Sequence, residues 1–352
     1  NNSRNNNNNN NNNNPKRTHP LFALDPSLPS TATSYNVRPI LTYPPDAPAR
    51  YLERYRKAVD DLTVPPGIAA FVPEPVAAVA GAEYYGWMPP KANAVHGGGD
   101  SVLVVDVGGT CTTISLVSSS SSGKENGKPT KEILYSATLP SLGGDTFIDL
   151  LVGHLIQSFY GTDPYHQHDE DDTAATAPTS SSPPSSKPAL PHDPQALPRL
   201  YESSTAAVHE LTRKSRTQIN VPYLTVDWQT RQPRHLDEGV ARHVVESEVD
   251  RFVSRRLVPY YSGLSDAASS SILSNAMPPP KDLTTLLSSA VLSALERTSR
   301  TPSSLRGMLL VGGGARIPMV RRAMKTTVEF LTGGDEMLIA PEGEMAEELV
   351  VL

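Results

Sequence analysis

From Val37 onward the chain alternates between short apolar runs and segments whose apolar residues recur at helical spacing. Ser101 to Val105 (SVLVV) is a continuous β-branched run that reads as a buried strand, and Cys111 to Val117 resumes that character after a turn, so the two predict neighbouring strands of one sheet. Met308 to Val311 is a third such run, and Val37 to Tyr43 and Ile68 to Val72 are shorter ones. Gln218 to Trp228 alternates apolar and polar residues, the mark of a half-buried strand. Helical spacing runs through Ala49 to Leu62, where Leu52, Tyr55, Val59 and Leu62 share a face. It returns in the small-residue stretch Val76 to Tyr85, opened by Pro75, and in the stripe Phe147, Leu151, Leu155 and Phe159. Leu200 to Leu211, Val240 to Leu257 and Leu283 to Leu295 predict three further helices, and Pro318 suits the first turn of a last one through Val320, Met324 and Val328. Strands alternating with helices predict an α/β layered fold.

Two of the strand-like runs feed glycine-rich turns: Asp106-Val107-Gly108-Gly109-Thr110 after the first, and Gly312-Gly313-Gly314 after the last. A third glycine pair, Gly143-Gly144, precedes Asp145 at the start of a helix. Glycine lets backbone N–H groups face an anion with no Cβ in the way. A strand, a glycine turn and a helix N-terminus together make an anion-binding arrangement.

Composition restricts where folding can occur. Thirty-three prolines, serine runs and 6% aromatic residues leave stretches too polar to bury a core. These are an Asn-rich tail over 1–36, an acidic and then Ser/Pro-rich insertion over about 161–197, and a polar insertion over 262–280, all expected to be disordered. His166, His168 and Asp169 to Asp172 lie in the first insertion and read as a solvated linker, not a metal site. A net charge of −6 argues against nucleic acid as a main partner, and no apolar stretch approaches the ~20 residues of a membrane span. The single cysteine, Cys111, excludes an internal disulfide and fits a reducing compartment, so a cytoplasmic location is expected.

Four motifs resemble the ATPase domain of the seventy-kilodalton heat-shock chaperones (DnaK type), within the actin-like ATPase superfamily. VPEPVAAVAGAEYYG resembles the family's connecting helix, DVGGTCTTISLV its second phosphate loop, SLGGDTFIDLLVGHL its Leu-Gly-Gly helix start, and LLVGGGARIPMVRR its adenosine loop. They occur in family order from Val37 to the C-terminus. The resemblance implies the actin-like, ribonuclease H-like fold, with 37–100 a remnant of the first ATPase lobe and 101–352 the second. It implies ATP or ADP with Mg²⁺ as cofactors. Glu74 and Asp106 would hold the metal through waters and orient attack on the γ-phosphate. Gly108, Gly109 and Thr110 would border the β- and γ-phosphates, with Gly143, Gly144 and Asp145 beside them. Gly312, Gly313 and Gly314 would lie against ribose and α-phosphate, and Arg316 would stack on adenine. A J-domain co-chaperone and a nucleotide exchange factor are the implied partners, with unfolded polypeptide as client where a peptide-binding domain is supplied.

The chain departs from the family at informative places. Thr113 stands where the second phosphate loop has its second Asp, and Thr205 and Val208 stand where a helix clamps the nucleoside with Glu and Lys. Nothing before Val37 resembles the first phosphate loop or the catalytic lysine, and nothing within the given sequence resembles the family's β-rich peptide-binding domain. The expected function is ATP binding of the chaperone type. The alternative is a degenerate, non-hydrolysing scaffold or co-chaperone.

Overall fold

The computed structural model describes residues 40–61, 70–88, 100–118, 124–125, 128–129, 131–161, 195–227, 229–263, 272–333 and 350–351. In chain order the elements are β1 (Ile40–Tyr43), α1 (Ala49–Asp61), β2 (Ala70–Pro73), α2 (Glu74–Tyr84), β3 (Ser101–Val107) and β4 (Cys111–Ser118). There follow β5 (Lys124–Glu125), β6 (Lys128–Pro129), β7 (Glu132–Pro140), α3 (Gly144–Tyr160) and α4 (Ala196–Leu211). The chain continues through β8 (Arg216–Val226), β9 (Pro233–Ala241), α5 (Arg242–Phe252), a π-helical turn (Val253–Leu257) and α6 (Val258–Gly263). It ends with α7 (Leu283–Arg297), β10 (Leu305–Val311), α8 (Pro318–Thr332) and β11 (Val350–Val351).

The central sheet has the order β11-β10-β3-β4-β7, with β10 parallel to β3 and the other pairs antiparallel. This is a mixed α/β architecture. Strand β3 carries no polar alternation because both its faces are covered. Val102 and Val104 pack with Val79, Ala82 and Met88 of the α2 side, whereas Leu103 and Val105 join the larger core with α3, α7 and α8. On the α2 side Val79 and Ala82 are essentially fully buried, which explains the small residues: bulk there would push the helix off the sheet. A separate parallel pair, β1 with β2, brings Tyr43 opposite Pro73, so both strands end at the same level.

Several sequence expectations need adjustment. Val240 pairs with Thr217 as the end of β9, so the helix expected from Val240 begins at Arg242, and its last part is the π-helical turn. Strands β7 and β9 were not predicted. Strand β9 has only Leu236 and Val240 buried, and β7 has one buried residue, Leu139, so neither shows a clean two-residue period. The Asn-rich tail and residues 162–194 of the first insertion lie outside the described residues, whereas Ala196 and Leu197, placed in that insertion, begin α4 and Ala196 is fully buried. Within the second insertion, expected to be disordered, 264–271 lies outside the described residues, but in 272–280 Leu273, Ser274 and Pro280 are buried. The Ser274 N–H donates to Ser289 Oγ at 3.0 Å and its hydroxyl donates to Glu296 Oε1 at 2.6 Å, which ties this stretch to α7. Among the described residues no helix is long and apolar enough to cross a membrane.

Candidate functional site

The three glycine turns, far apart in sequence, meet at the carboxyl end of β3. Strand β3 turns into β4 with the Gly108 N–H donating to the Cys111 carbonyl at 2.9 Å, leaving Gly109 and Thr110 at the tip. The first turn of α3 then docks on this tip: the Gly144 and Asp145 N–H groups donate to the carbonyls of Gly108 (2.9 Å) and Gly109 (2.7 Å). A Cβ on Gly143 would lie 2.2 Å from the Gly109 carbonyl oxygen, so only glycine admits this approach. The third turn closes from the β10 side. Gly312 has φ 90°, and a Cβ there would stand 2.4 Å from both Asp106 Oδ1 and the Val107 carbonyl oxygen; one on Gly314 would stand 2.4 Å from Val107 Cγ1.

These contacts divide the expected ligand set. Gly143, Gly312 and Gly314 are glycines because neighbouring turns press on them. The N–H groups of Gly108, Gly144 and Asp145 are consumed within the turns, so those three positions offer no main-chain donor to a phosphate, contrary to the expectation for Gly108. The N–H groups of Gly109, Thr110 and Gly313 have no hydrogen-bond partner among the described residues, and a Cβ on Gly313 would meet nothing within 4 Å. Asp145 sets its carboxylate beside the first turn, with Oδ2 3.2 Å from where a Gly109 Cβ would be.

Beside the turns lies a small cleft lined by Pro45, Glu74, Pro75, Val104, Asp106, Thr113, Ser115 and Val311. Asp106 is in register with Thr113 on one side and Val311 on the other, so it shares the α2-facing surface of the sheet with them. Glu74 arrives from the opposite wall as the first residue of α2, directly after β2. Burial pushes the carboxyls of both Glu74 and Asp106 up, and the negative charges of Asp106 and Asp46 add to the rise at Glu74. Asp46 was not singled out from sequence. It follows β1 as Glu74 follows β2, and the parallel register of those strands delivers both acids to one end. Its Oδ2 accepts a hydrogen bond from Thr138 Oγ1 at 3.0 Å, and that hydroxyl is 3.3 Å from Thr113 Oγ1. Thr113 is thus connected through Thr138 to a carboxylate from another element. The signal in the sequence was an acid just after a predicted strand, Pro44-Pro45-Asp46. Cys111 lies close enough to feel all three acids, and burial together with those charges raises its thiol above the usual range, apart from a lowering hydrogen bond from Thr110.

No set of three His, Cys, Asp or Glu side chains among the described residues is arranged to ligate a metal directly. The donor chemistry at Glu74, Asp106 and Asp46 does fit a hydrated Mg²⁺, which keeps most of its waters and takes one or two carboxylates with substrate phosphates.

The second cleft lies between α4, α5 and the third turn, lined by Phe147, Val208, Leu211, Thr212, Arg242, Val245, Glu246, Ile317 and Pro318. Val208 is buried there, while the Thr205 hydroxyl donates back to the Tyr201 carbonyl at 2.7 Å within the same helix. Glu246 pairs through Oε2 with Arg322 at 2.8 Å, and its Oε1 is buried without a hydrogen-bond partner. Nothing in the sequence distinguished Glu246 from a solvated helix face. Arg316 is exposed and Arg242 donates to the carbonyls of Leu211 and Lys214, both at 2.7 Å. No known family model matches the chain.

Proposed function

We propose that the chain binds ATP or ADP with Mg²⁺ across the three glycine turns, in an actin-like ATPase fold resembling the nucleotide-binding domain of the seventy-kilodalton heat-shock chaperones. The observation that carries this reading is the convergence of Gly109, Gly143 and Gly313 turns, each from a separate part of the chain, next to Asp106 and Glu74. The unpartnered N–H groups at Gly109, Thr110 and Gly313 would take phosphate oxygens. Asp106 and Glu74 would hold the metal's water shell, and a bound cation would relieve their mutual repulsion. The apolar cleft beside Val208 suits a purine base. Glu246, with its buried unpartnered Oε1, would accept the adenine exocyclic amine, in place of the polar clamps absent at Thr205 and Val208.

Binding without turnover is the second half of the proposal. Phosphoryl transfer depends on charge stabilisation around the γ-phosphate, and the second-loop carboxylate is replaced by Thr113, whose hydroxyl contacts Thr138. With the family resemblance, this supports reading the chain as a chaperone-like scaffold or co-chaperone in the cytoplasm, with a J-domain protein and an exchange factor as the partners the resemblance implies.

Calorimetric titration with Mg-ADP tests binding. Gly313→Val leaves the fold intact because a side chain there meets open space, and it is expected to weaken ADP at least about tenfold. Unchanged affinity in Gly313→Val removes the site. Glu246→Gln should narrow the preference for ADP over GDP, since guanine presents an acceptor where adenine presents a donor. Phosphate release from ATP by the unaltered chain should be no faster than by the Glu74→Ala, Asp106→Ala double variant.

A further inference from the structure

The link from β7 to α3 presents three successive carbonyls, and each accepts a hydrogen bond from a hydroxyl on a different element. Tyr261 of α6 donates to the Pro140 carbonyl at 2.7 Å, Thr146 of α3 to that of Ser141 at 3.1 Å, and Thr112 of β4 to that of Leu142 at 2.7 Å. All three side chains are buried. A buried hydroxyl left without a partner is costly, so polar residues at these positions are tied to the carbonyls they hold. The link is strained as well. Ser141 has φ 59°, in the left-handed region, and the Thr146 hydroxyl that holds its carbonyl also accepts the Gly143 N–H at 3.2 Å.

This hydroxyl clamp reaches the first glycine turn through the planarity of the peptide bond. Across a trans peptide the carbonyl and the following N–H point in opposite directions. The Gly144 and Asp145 N–H groups hold the Gly108 and Gly109 carbonyls toward α3, so the N–H groups of Gly109 and Thr110 face away from it. Both residues are exposed at the tip of the turn. Two successive main-chain donors facing one side form a concave anion site.

We infer that Thr112, Thr146 and Tyr261 are positioning residues for phosphate, a role that rests on the nucleotide reading above. Their hydroxyls fix the first turn of α3, that turn fixes two carbonyls of the glycine turn, and the Gly109 and Thr110 N–H groups are thereby aimed together at one phosphate. The Asp145 carboxylate beside Gly109 repels a bare anion, so the phosphate enters with Mg²⁺. Through Tyr261 the site extends to α6, which touches no phosphate itself.

Native-state amide exchange reads the clamp without any ligand. In Thr112→Val, which keeps the side-chain shape and loses the hydroxyl, the Gly144 and Asp145 amides should exchange at least about tenfold faster while those of α7 keep their rates. Calorimetric titration of the full chain with Mg-pyrophosphate, Mg-ADP and adenosine reads what the clamp is for. Thr112→Val should weaken pyrophosphate and ADP about tenfold and leave adenosine unmoved, and Thr112→Ser, which restores the hydroxyl, should recover most of the loss. Tyr261→Phe makes the same test from α6 if Thr112→Val fails to fold. Exchange that accelerates equally in α7 overturns the inference, by showing that the hydroxyls serve only the fold. ADP binding that both hydroxyl-free variants leave unchanged overturns it alone. Pyrophosphate binding that Thr112→Val weakens, with no binding of ADP, supports it and overturns only the nucleotide reading; binding of neither overturns both.

Discussion

The clefts on either side of the third glycine turn are built from opposite materials. The one at Glu74 and Asp106 brings acids from three separate elements to one place, at an electrostatic cost visible in the raised carboxyls. The one at Val208 is walled by Phe147, Leu211, Val245 and Ile317, and its one acid, Glu246, is tied by half to Arg322. The first cleft keeps charge that a core would discard, whereas the second is core-like around Val208. Retaining repulsive charge is hard to explain by stability alone, so the acidic side supports the proposed nucleotide site more strongly than the apolar side does.

The largest effect should come from the backbone between the clefts. Gly312→Ala forces a Cβ against Asp106 and the Val107 carbonyl at a positive φ, and should cost about 4 kcal/mol in urea unfolding. A loss below about 1 kcal/mol would mean that the turn can open, and the acidic cleft would lose its rigid floor. In the apolar cleft, Val208→Ala removes buried methyl groups and should cost about 2 kcal/mol. If Val208→Ala is neutral, the cleft is open space and the contrast between the two sides weakens.

A change of opposite sign is expected on the acidic side. Asp106→Asn removes one of the mutually repelling charges and should stabilise by about 0.5 kcal/mol at pH 7, a figure kept small by solvent screening. The sign follows from the raised carboxyls. Their contribution is fully present below the unfolded carboxylate values, about 4, and is lost as pH rises through the higher folded values. Acidifying from pH 7 towards about 4, below the unfolded carboxylate values, should therefore raise the site's contribution to Tm, and Asp106→Asn should flatten that rise. Stability that falls over this window, equally in both proteins, would show that the acids are not strained. The smallest effect belongs to Gly313→Ala, expected within about 0.5 kcal/mol because its Cβ enters open space. Read beside Gly312→Ala, it separates a glycine required by packing from one left free to face a ligand.

Much of the fold was legible because its signals are local. The β-branched run at Val102 to Val105, the stripe Phe147, Leu151 and Leu155, and Pro318 at a helix start each declare an element within a few residues. Strand β9 escaped because its outer face is exposed and only two of its residues meet the core, so its pairing with β8 supplies what its pattern lacks. Leu273 and Ser274 were hidden in a polar stretch, since one buried leucine and a serine bonded to α7 leave no period to read.

The chain's own chemistry determined where backbone must turn tightly, because glycine after a strand has few other uses, and it marked Asp106 and Glu74 as acids at strand ends. Only the tertiary structure decided what each glycine is for. Gly143 and Gly312 are pinned by carbonyls and a carboxylate from distant segments, while Gly313 is pinned by nothing, and no local pattern distinguishes them. The same holds for the arrival of Asp46 beside Glu74 and the burial of Glu246 Oε1. A side chain's charge and size are written at its own position, but the desolvation and repulsion it feels are set by residues that folding brings to it.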